Sequence, residues 1–347
     1  MHLHTTLARG NLSSKASDSA TSGSDLSDLN QLVLAHIYYN YPDLEEAKIF
    51  LLDFGFTEVK KVTNGTTGDD EKIYFRGYGK DPWVLCAVKA ETAGFGGAGF
   101  LVESEADLRL AATTLPNASE VFELKDAPGG GRCVTFRDPV DGWPMHLVHG
   151  STEVEMLDIT LPNIQFNYPT EKTRPPGEFQ RFTKRPAPVH KLGHFGVRTT
   201  NLAKADEFYR SRFSLLASDF VHEADGANIL AFYRLDRGSE AVDHHSFFLA
   251  EGPSYKVHHS SYETHDFDTQ VLGHDWLREK GHKNCWGVGR HVLGSQIFDY
   301  WFDPSGFIFE HYVDGDLLTA DLPTQRSQAG PGTMHVWGPE VPSSFLE

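Results

Sequence analysis

An α+β fold made of two tandem copies of one domain is the architecture the sequence predicts, and three observations predict it. The opening LAHIYYNYPDLEEAKIFLLDFGFTEV (residues 34–59) has a counterpart in LGHFGVRTTNLAKADEFYRSRFSLL (192–216). Each reads as a short strand with a central histidine, a turn and an amphipathic helix. The closing FRDPVDGWPMHLVHG (136–150) matches FDPSGFIFEHYVDGD (302–316) as strand, Asp-Pro turn and strand. Between opening and closing both halves carry β-rich runs, KIYFRGY and PWVLCAV in the first, HSFFLAE and QIFDYWF in the second. Each half is therefore expected to hold two β-α-β-β-β units, forming a curled mixed sheet around a cavity into which alternate side chains point.

Taken in order, residues 1–30 are rich in Ser, Asp and Thr and read as a flexible tail. The first domain spans 31–150. Residues 151–190 are polar and proline-rich and read as a connector. The second domain spans 191–318, and 319–347 loosens into an irregular tail laid over the surface. Within the second domain, Leu202, Ala205, Phe208, Tyr209 and Phe213 form a core-facing helical stripe. The run Gly94-Phe95-Gly96-Gly97-Ala98-Gly99 matches GxGxxG formally. The next residues, FLVESEADL, place a strand before any helix, so the run is no nucleotide loop.

Composition narrows the function. The formal net charge of −17 argues against nucleic acid or an anionic membrane as partner. No apolar run is long enough to span a bilayer, and the start MHLHTTLARG lacks the apolar stretch of a secretory signal. Three widely spaced cysteines, Cys86, Cys133 and Cys285, suggest a reducing compartment, so a cytoplasmic location is expected. Of 18 histidines, twelve lie between His190 and His311, which points to metal or acid–base chemistry in the second half.

Three residues there fit a two-histidine, one-carboxylate metal site: His194 in LGHF, His259 in VHHSSYETHD and Glu310 in FIFEHY. On a strand, His194 shares a face with Gly196, and Glu310 stands opposite to Phe307 and Phe309. A strand carboxylate among large aromatics is costly unless something pairs it. Read singly, each has an ordinary alternative: a satisfied strand histidine, or a Glu310–Arg290 ion pair. The ligand set suits Fe(II), with Mn(II) admitted, and leaves positions open for substrate and O₂.

The segments LGHF (192–195), VDHHSFFL (242–249), VHHSSYETHD (257–266), GRH (289–291) and FDYWFDPSGFIFEHY (298–312) resemble the type I extradiol ring-cleaving dioxygenases of the vicinal oxygen chelate superfamily. Their wording looks most like the trihydroxytoluene oxygenase branch. The resemblance is close over 191–316 and loose over 32–150. It implies two tandem vicinal oxygen chelate domains, with Fe(II) on His194, His259 and Glu310 of the second. It also implies an acid–base role for His245 and hydrogen bonds from His291 and Tyr300 to substrate oxygens. Asp243 and His244 flank His245 and are either orienting groups or polar strand-edge residues. Phe232, Tyr233, Trp286, Trp301 and Phe302 are candidates to line the substrate site.

The first repeat keeps His36 but has the glycine run where His259 should be, and His146 near the place of Glu310. It is expected to hold no metal. The implied partners are a catecholic small molecule, O₂ and further copies of this chain. The alternatives are a non-oxidative metalloenzyme on the same fold, isomerase or lyase, or an aromatic-ligand binding protein.

Overall fold

The computed structural model describes residues 32–68, 70–330 and 332–346. The tail expected over residues 1–30 lies outside the described residues.

The first half runs β1 (Val33–Tyr41), α1 (Leu44–Phe54), β2 (Thr57–Thr63), β3 (Asp70–Arg76) and β4 (Leu85–Lys89). It continues with β5 (Gly94–Leu101), α2 (Glu105–Thr114), β6 (Phe122–Glu123), β7 (Arg132–Arg137) and β8 (Pro144–His149). These are the two β-α-β-β-β units expected, joined in one eight-stranded sheet of order β2-β3-β4-β1-β5-β8-β7-β6.

The second half repeats the plan. Its first unit is β9 (Leu192–Thr199), α3 (Leu202–Arg212), β10 (Leu215–His222), β11 (Asn228–Leu235), β12 (Val242–Asp243) and β13 (Phe247–Glu251). Its second is β14 (Lys256–Glu263), α4 (Phe267–Glu279), β15 (Lys283–His291), β16 (Ile297–Phe302) and β17 (Ile308–Val313). After these come β18 (Leu317–Leu318), β19 (Gln325–Gln328), β20 (His335–Trp337) and α5 (Ser343–Leu346). The ten-stranded sheet has the order β19-β10-β11-β13-β9-β14-β17-β16-β15-β20.

Here the structure departs from the expected surface tail over 319–347. The segment supplies both edge strands, β19 beside β10 and β20 beside β15. Their two- to four-residue pairing needs no hydrophobic alternation, because an edge strand is held by backbone hydrogen bonds along one side only. The connector 151–190 carries one isolated bridge, Asn167 to Lys172.

Local chemistry starts each helix where the sequence places it. Asp43 accepts hydrogen bonds from the backbone N–H groups of Glu45 and Glu46 at the start of α1. Asn201 and Asp266 do the same for α3 and α4, and Ser104 with Asp107 forms a reciprocal cap on α2. Leu44, Ala47, Phe50, Leu51 and Phe54 make the buried stripe of α1.

Alternation along the central strands separates the core from the site. In β1, Ile37, Tyr39 and Tyr41 enter the main core while His36 and Tyr38 turn the other way. In β9, Phe195 and Val197 enter that same core while His194 does not. One apolar core thus joins the two halves. Tyr39 packs on Phe307 at 4.6 Å and Phe309 at 5.3 Å, and Trp143 on Tyr209 at 5.8 Å. Phe54 stacks on His311 at 3.7 Å, and His311 donates a 2.7 Å hydrogen bond to the Phe54 carbonyl. The Asp-Pro turns engage the opposite half as well. Tyr209 donates to Asp138 at 3.0 Å, and Tyr41 faces Asp303, whose carboxyl burial pushes up to about 7.

Because this core is continuous, the two halves should unfold together. Phe54→Ala is expected to cost about 3–5 kcal/mol in urea titrations followed by tryptophan fluorescence. Wild type and variant should each show one transition; two resolved transitions would contradict a shared core.

Candidate metal centre

Strand register assembles the centre. Ser261 of β14 lies opposite His194 of β9 on one side and Glu310 of β17 on the other, and Glu310 in turn lies opposite Tyr300 of β16. His194, Ser261, Glu310 and Tyr300 therefore form one row across four strands. The small Ser261 between them lets His194 and Glu310 lean together above it. His259, two residues before Ser261 on β14, completes the group.

The three donor atoms converge. His194 Nε2 lies 3.1 Å from His259 Nε2, and Glu310 Oε2 lies 3.0 Å from the former and 3.4 Å from the latter. Three bonds of ~2.1 Å meeting at right angles would place donor atoms ~3.0 Å apart, so the spacing fits one face of an octahedral metal. Among the described residues this is the only group of His, Cys, Asp or Glu that converges in this way.

The electrostatics call for a cation. Glu310 is fully buried. Burial alone would push its carboxyl up, yet His194 and then His259 facing it hold it well below the usual range, so it is ionised at neutral pH. Neither of its oxygens receives a well-aligned hydrogen bond. Burial also lowers His259, keeping its imidazole neutral and able to donate a lone pair. Its other nitrogen is held by His258, Nδ1 to Nδ1 at 2.8 Å. Arg290, the alternative partner of Glu310, instead binds the Ser295 carbonyl and Asp314.

The flanking groups stand close by. The His245 ring is 4.0 Å from that of His194, and burial drives its pKa far down, reinforced by His194 and His244. His291 Nδ1 donates to the Met334 carbonyl at 2.8 Å, which leaves Nε2 to accept a 2.7 Å hydrogen bond from the Tyr300 hydroxyl. Burial brings His291 to about 4 and raises Tyr300 strongly, so at neutral pH the pair is a neutral imidazole and a protonated phenol.

The aromatic candidates divide. Phe232 packs on His245 at 4.9 Å, and Trp286 stacks on Tyr300 at 5.7 Å, both on the metal side. Phe302 joins the same cluster at its rim, under Lys283. Tyr233 and Trp301 do not belong there. Tyr233 reaches Asp206 of α3 through its hydroxyl, and Trp301 bonds Asp299 and packs on His274 of α4. Neighbours on a strand point to opposite faces, so Phe232 with Tyr233, or Phe302 with Trp301, cannot both line one site. Two further aromatics do touch it. Phe248 packs on His259 at 5.0 Å and fills the room above Gly196, where a Cβ would clash with its ring. Phe345 of α5 lies 4.7 Å from Tyr300 and 4.8 Å from His258. Its only trace in the sequence is an apolar pair in a polar tail.

The first repeat shows the same register without the donors. Gly99 lies opposite His36 and His146, as Ser261 lies opposite His194 and Glu310. Gly97 takes the place of His259; a Cβ there would lie 2.7 Å from His146 Nε2, and one on Gly99 would lie 2.2 Å from His36 Nε2. Trp83 occupies the position of His245 and stacks on His36 at 3.8 Å. His146 is tied to Thr135 and the Gly96 carbonyl, and burial brings it to about 4.

No protein-family model matches the chain. Metapyrocatechase 2 of Cupriavidus necator is 31% identical over 157 residues, 45% of this chain and 47% of that protein, so the match spans about half the length of the curated relative. Among solved structures, homoprotocatechuate 2,3-dioxygenase of Arthrobacter globiformis superposes with a TM-score of 0.74 at 20% identity, covering 92% of each chain. The enzyme of Brevibacterium fuscum with 3,4-dihydroxyphenylacetate gives 0.74 at 18% identity, over 92% of this chain and 93% of that one. The likeness to these solved structures shows that the chain has their fold. The same fold also occurs in a Mn(II)-bound glyoxalase of Novosphingobium aromaticivorans, which superposes with a TM-score of 0.71 at 21% identity, covering 90% of this chain and 92% of that one.

If Glu310 is a metal ligand, neutralising it has opposite effects with and without metal. Mn(II) at about 100 times its dissociation constant should stabilise the wild type by about 2.7 kcal/mol. Glu310→Gln should lose that gain, while its metal-free form is at least as stable as the metal-free wild type. Differential scanning calorimetry with and without metal checks both; a variant that retains the Mn(II) gain would rule Glu310 out as a ligand.

Proposed function

We propose that the chain is an extradiol dioxygenase that uses Fe(II) to cleave the ring of a catechol or trihydroxybenzene with O₂, yielding an open-chain semialdehyde or keto acid. The observation that carries this reading is the facial set of His194, His259 and Glu310 with His245, Tyr300 and His291 grouped around it. Three donors on one side leave the remaining positions to substrate and O₂. When bound, the metal supplies the electronic coupling between a chelated diol and O₂. The net reaction inserts both oxygen atoms at one carbon–carbon bond and needs no external reductant. The same donor set accepts Mn(II), and iron is the proposed resident.

The protein groups handle positioning and protons. Tyr300, kept protonated and donating to His291, has its hydroxyl oxygen free to accept a hydrogen bond from a substrate hydroxyl. His245, kept neutral in its resting state, takes a proton from a substrate hydroxyl and returns it to an oxygen of the opening ring. Phe232, Phe248, Trp286 and Phe345 offer ring faces rather than charges, which favours a neutral, substituted diol over an anionic one.

No helix of the described residues is long and apolar enough to cross a membrane. Cys86, Cys133 and Cys285 are free and buried, in keeping with a proposed cytoplasmic location. Assembly with further copies of the chain is proposed from the family resemblance.

The test is oxygen uptake by protein loaded anaerobically with Fe(II) and offered a panel of catechols and trihydroxybenzenes. One O₂ consumed per yellow product formed is expected. His245→Phe should lower kcat by about 10²–10⁴ with metal content unchanged. Metal-loaded protein that consumes no O₂ across the panel would favour a non-oxidative reaction, the chemistry for which the superposing glyoxalase is named.

A further inference from the structure

His245 is one end of a buried chain of three side chains. Its Nδ1 lies 3.1 Å from Nδ1 of His244, and His244 Nε2 lies 2.7 Å from Oδ2 of Asp219. All three residues are at most 5% exposed. Adjacent histidines on a regular strand would point to opposite faces. These two lie in the irregular link between β12 and β13, and there their rings can meet.

The link is held at both of its backbone ends. The His244 N–H donates to the Asp316 carbonyl at 3.0 Å, and its carbonyl accepts from the Ser218 hydroxyl at 2.6 Å. The His244 ring sits between Phe232, at 5.9 Å, and Gly294, where a Cβ would lie 3.0 Å from Nδ1. Asp219 is fixed in β10, paired with Phe232 of β11 and Gln325 of β19. The edge strand from the C-terminal segment thus backs the residue that ends the chain.

Donor rules then determine where the protons sit. A carboxylate only accepts, so His244 Nε2 carries a hydrogen. In a neutral ring the other nitrogen accepts, so His244 Nδ1 presents a lone pair to His245. The His245 Nδ1 must donate to it, and its own lone pair is left on Nε2. Asp243, two residues before His245, takes no part, because its carboxylate is paired with Lys191 at 2.5 Å.

We infer that Asp219 and His244 act as positioning residues that lock His245 in its Nδ1–H tautomer, making Nε2 the nitrogen that exchanges protons with the substrate. This rests on the reading of His245 as the acid–base group of a ring-cleaving dioxygenase. A buried carboxylate that orients an imidazole and selects its tautomer is a general device. Here it acts through an intervening histidine.

Two substitutions separate a tautomer lock from a packing role. Asp219→Asn keeps the shape, and where its amide turns NH₂ toward His244 Nε2 the tautomers of both rings invert. Asp219→Ala removes the contact and leaves the tautomers unbiased. Packing alone would make Ala the more harmful; the lock makes Asn at least as harmful. Asp219→Asn should lower kcat about 10- to 100-fold, with Fe(II) content and KM for the diol changed by less than about twofold.

Nitrogen-15 NMR of Zn(II)-loaded protein, diamagnetic and independent of turnover, reads the tautomers directly. His245 is expected as Nδ1–H in the wild type and as Nε2–H in Asp219→Asn. A wild-type His245 found as Nε2–H, or an Asp219→Asn protein with inverted tautomers and wild-type kcat, would overturn the lock. Expected tautomers in a protein that cleaves no diol would uphold the lock and count against the dioxygenase reading instead.

Discussion

The ionised carboxylate of Glu310, out of reach of water, is the constraint around which the second half of the chain is arranged. Two imidazole nitrogens approach it at 3.0 and 3.4 Å without well-aligned N–H groups, an arrangement that leaves the charge uncompensated unless a cation stands between them. Every nearby choice makes room for that cation. Ser261 is small where His194 and Glu310 must meet. Tyr300 sits across from Glu310 and spends its proton on His291, so it brings no second charge.

The first half is a control within the same molecule. With Gly97 in place of a ligand and His146 in place of the carboxylate, the same strand order and register persist. The fold therefore does not depend on the metal centre. The centre does depend on the fold, because each donor is presented by a strand whose other face is anchored in the core shared by both halves. Phe309 beside Glu310 packs on Tyr39, and His311 on its other side is tied to Phe54. A donor set backed in this way is held before any metal arrives, which lowers the ordering cost of binding.

Much of this was legible in the residues. The two β-α-β-β-β pairs were, because strand and helix periodicities recur at matching places and His36 and His194 mark the same position. The three residues that converge, His194, His259 and Glu310, were legible mainly through the motifs around them, since one strand histidine or glutamate says little by itself. What escaped was set by contacts between distant segments. Strands β19 and β20, four and three residues long, are too short to betray themselves by alternation, so the segment bearing Phe345 read as a loose tail. The facing of Tyr233 and Trp301 was misread, although alternation forbids both members of each neighbouring pair from lining one site. The link between Asp219 and His244 spans 25 positions and an irregular turn, and nothing in the local pattern announces it.

The proposed chemistry turns on His194, His259 and Glu310 holding one metal ion from one side. Anomalous diffraction at the iron edge, from crystals of protein loaded anaerobically with Fe(II), tests this without recourse to activity. One strong peak is expected roughly 2.0–2.2 Å from His194 Nε2, His259 Nε2 and a Glu310 oxygen. No peak is expected beside His36 and His146. Iron held elsewhere, or at this place without Glu310, would contradict the facial site.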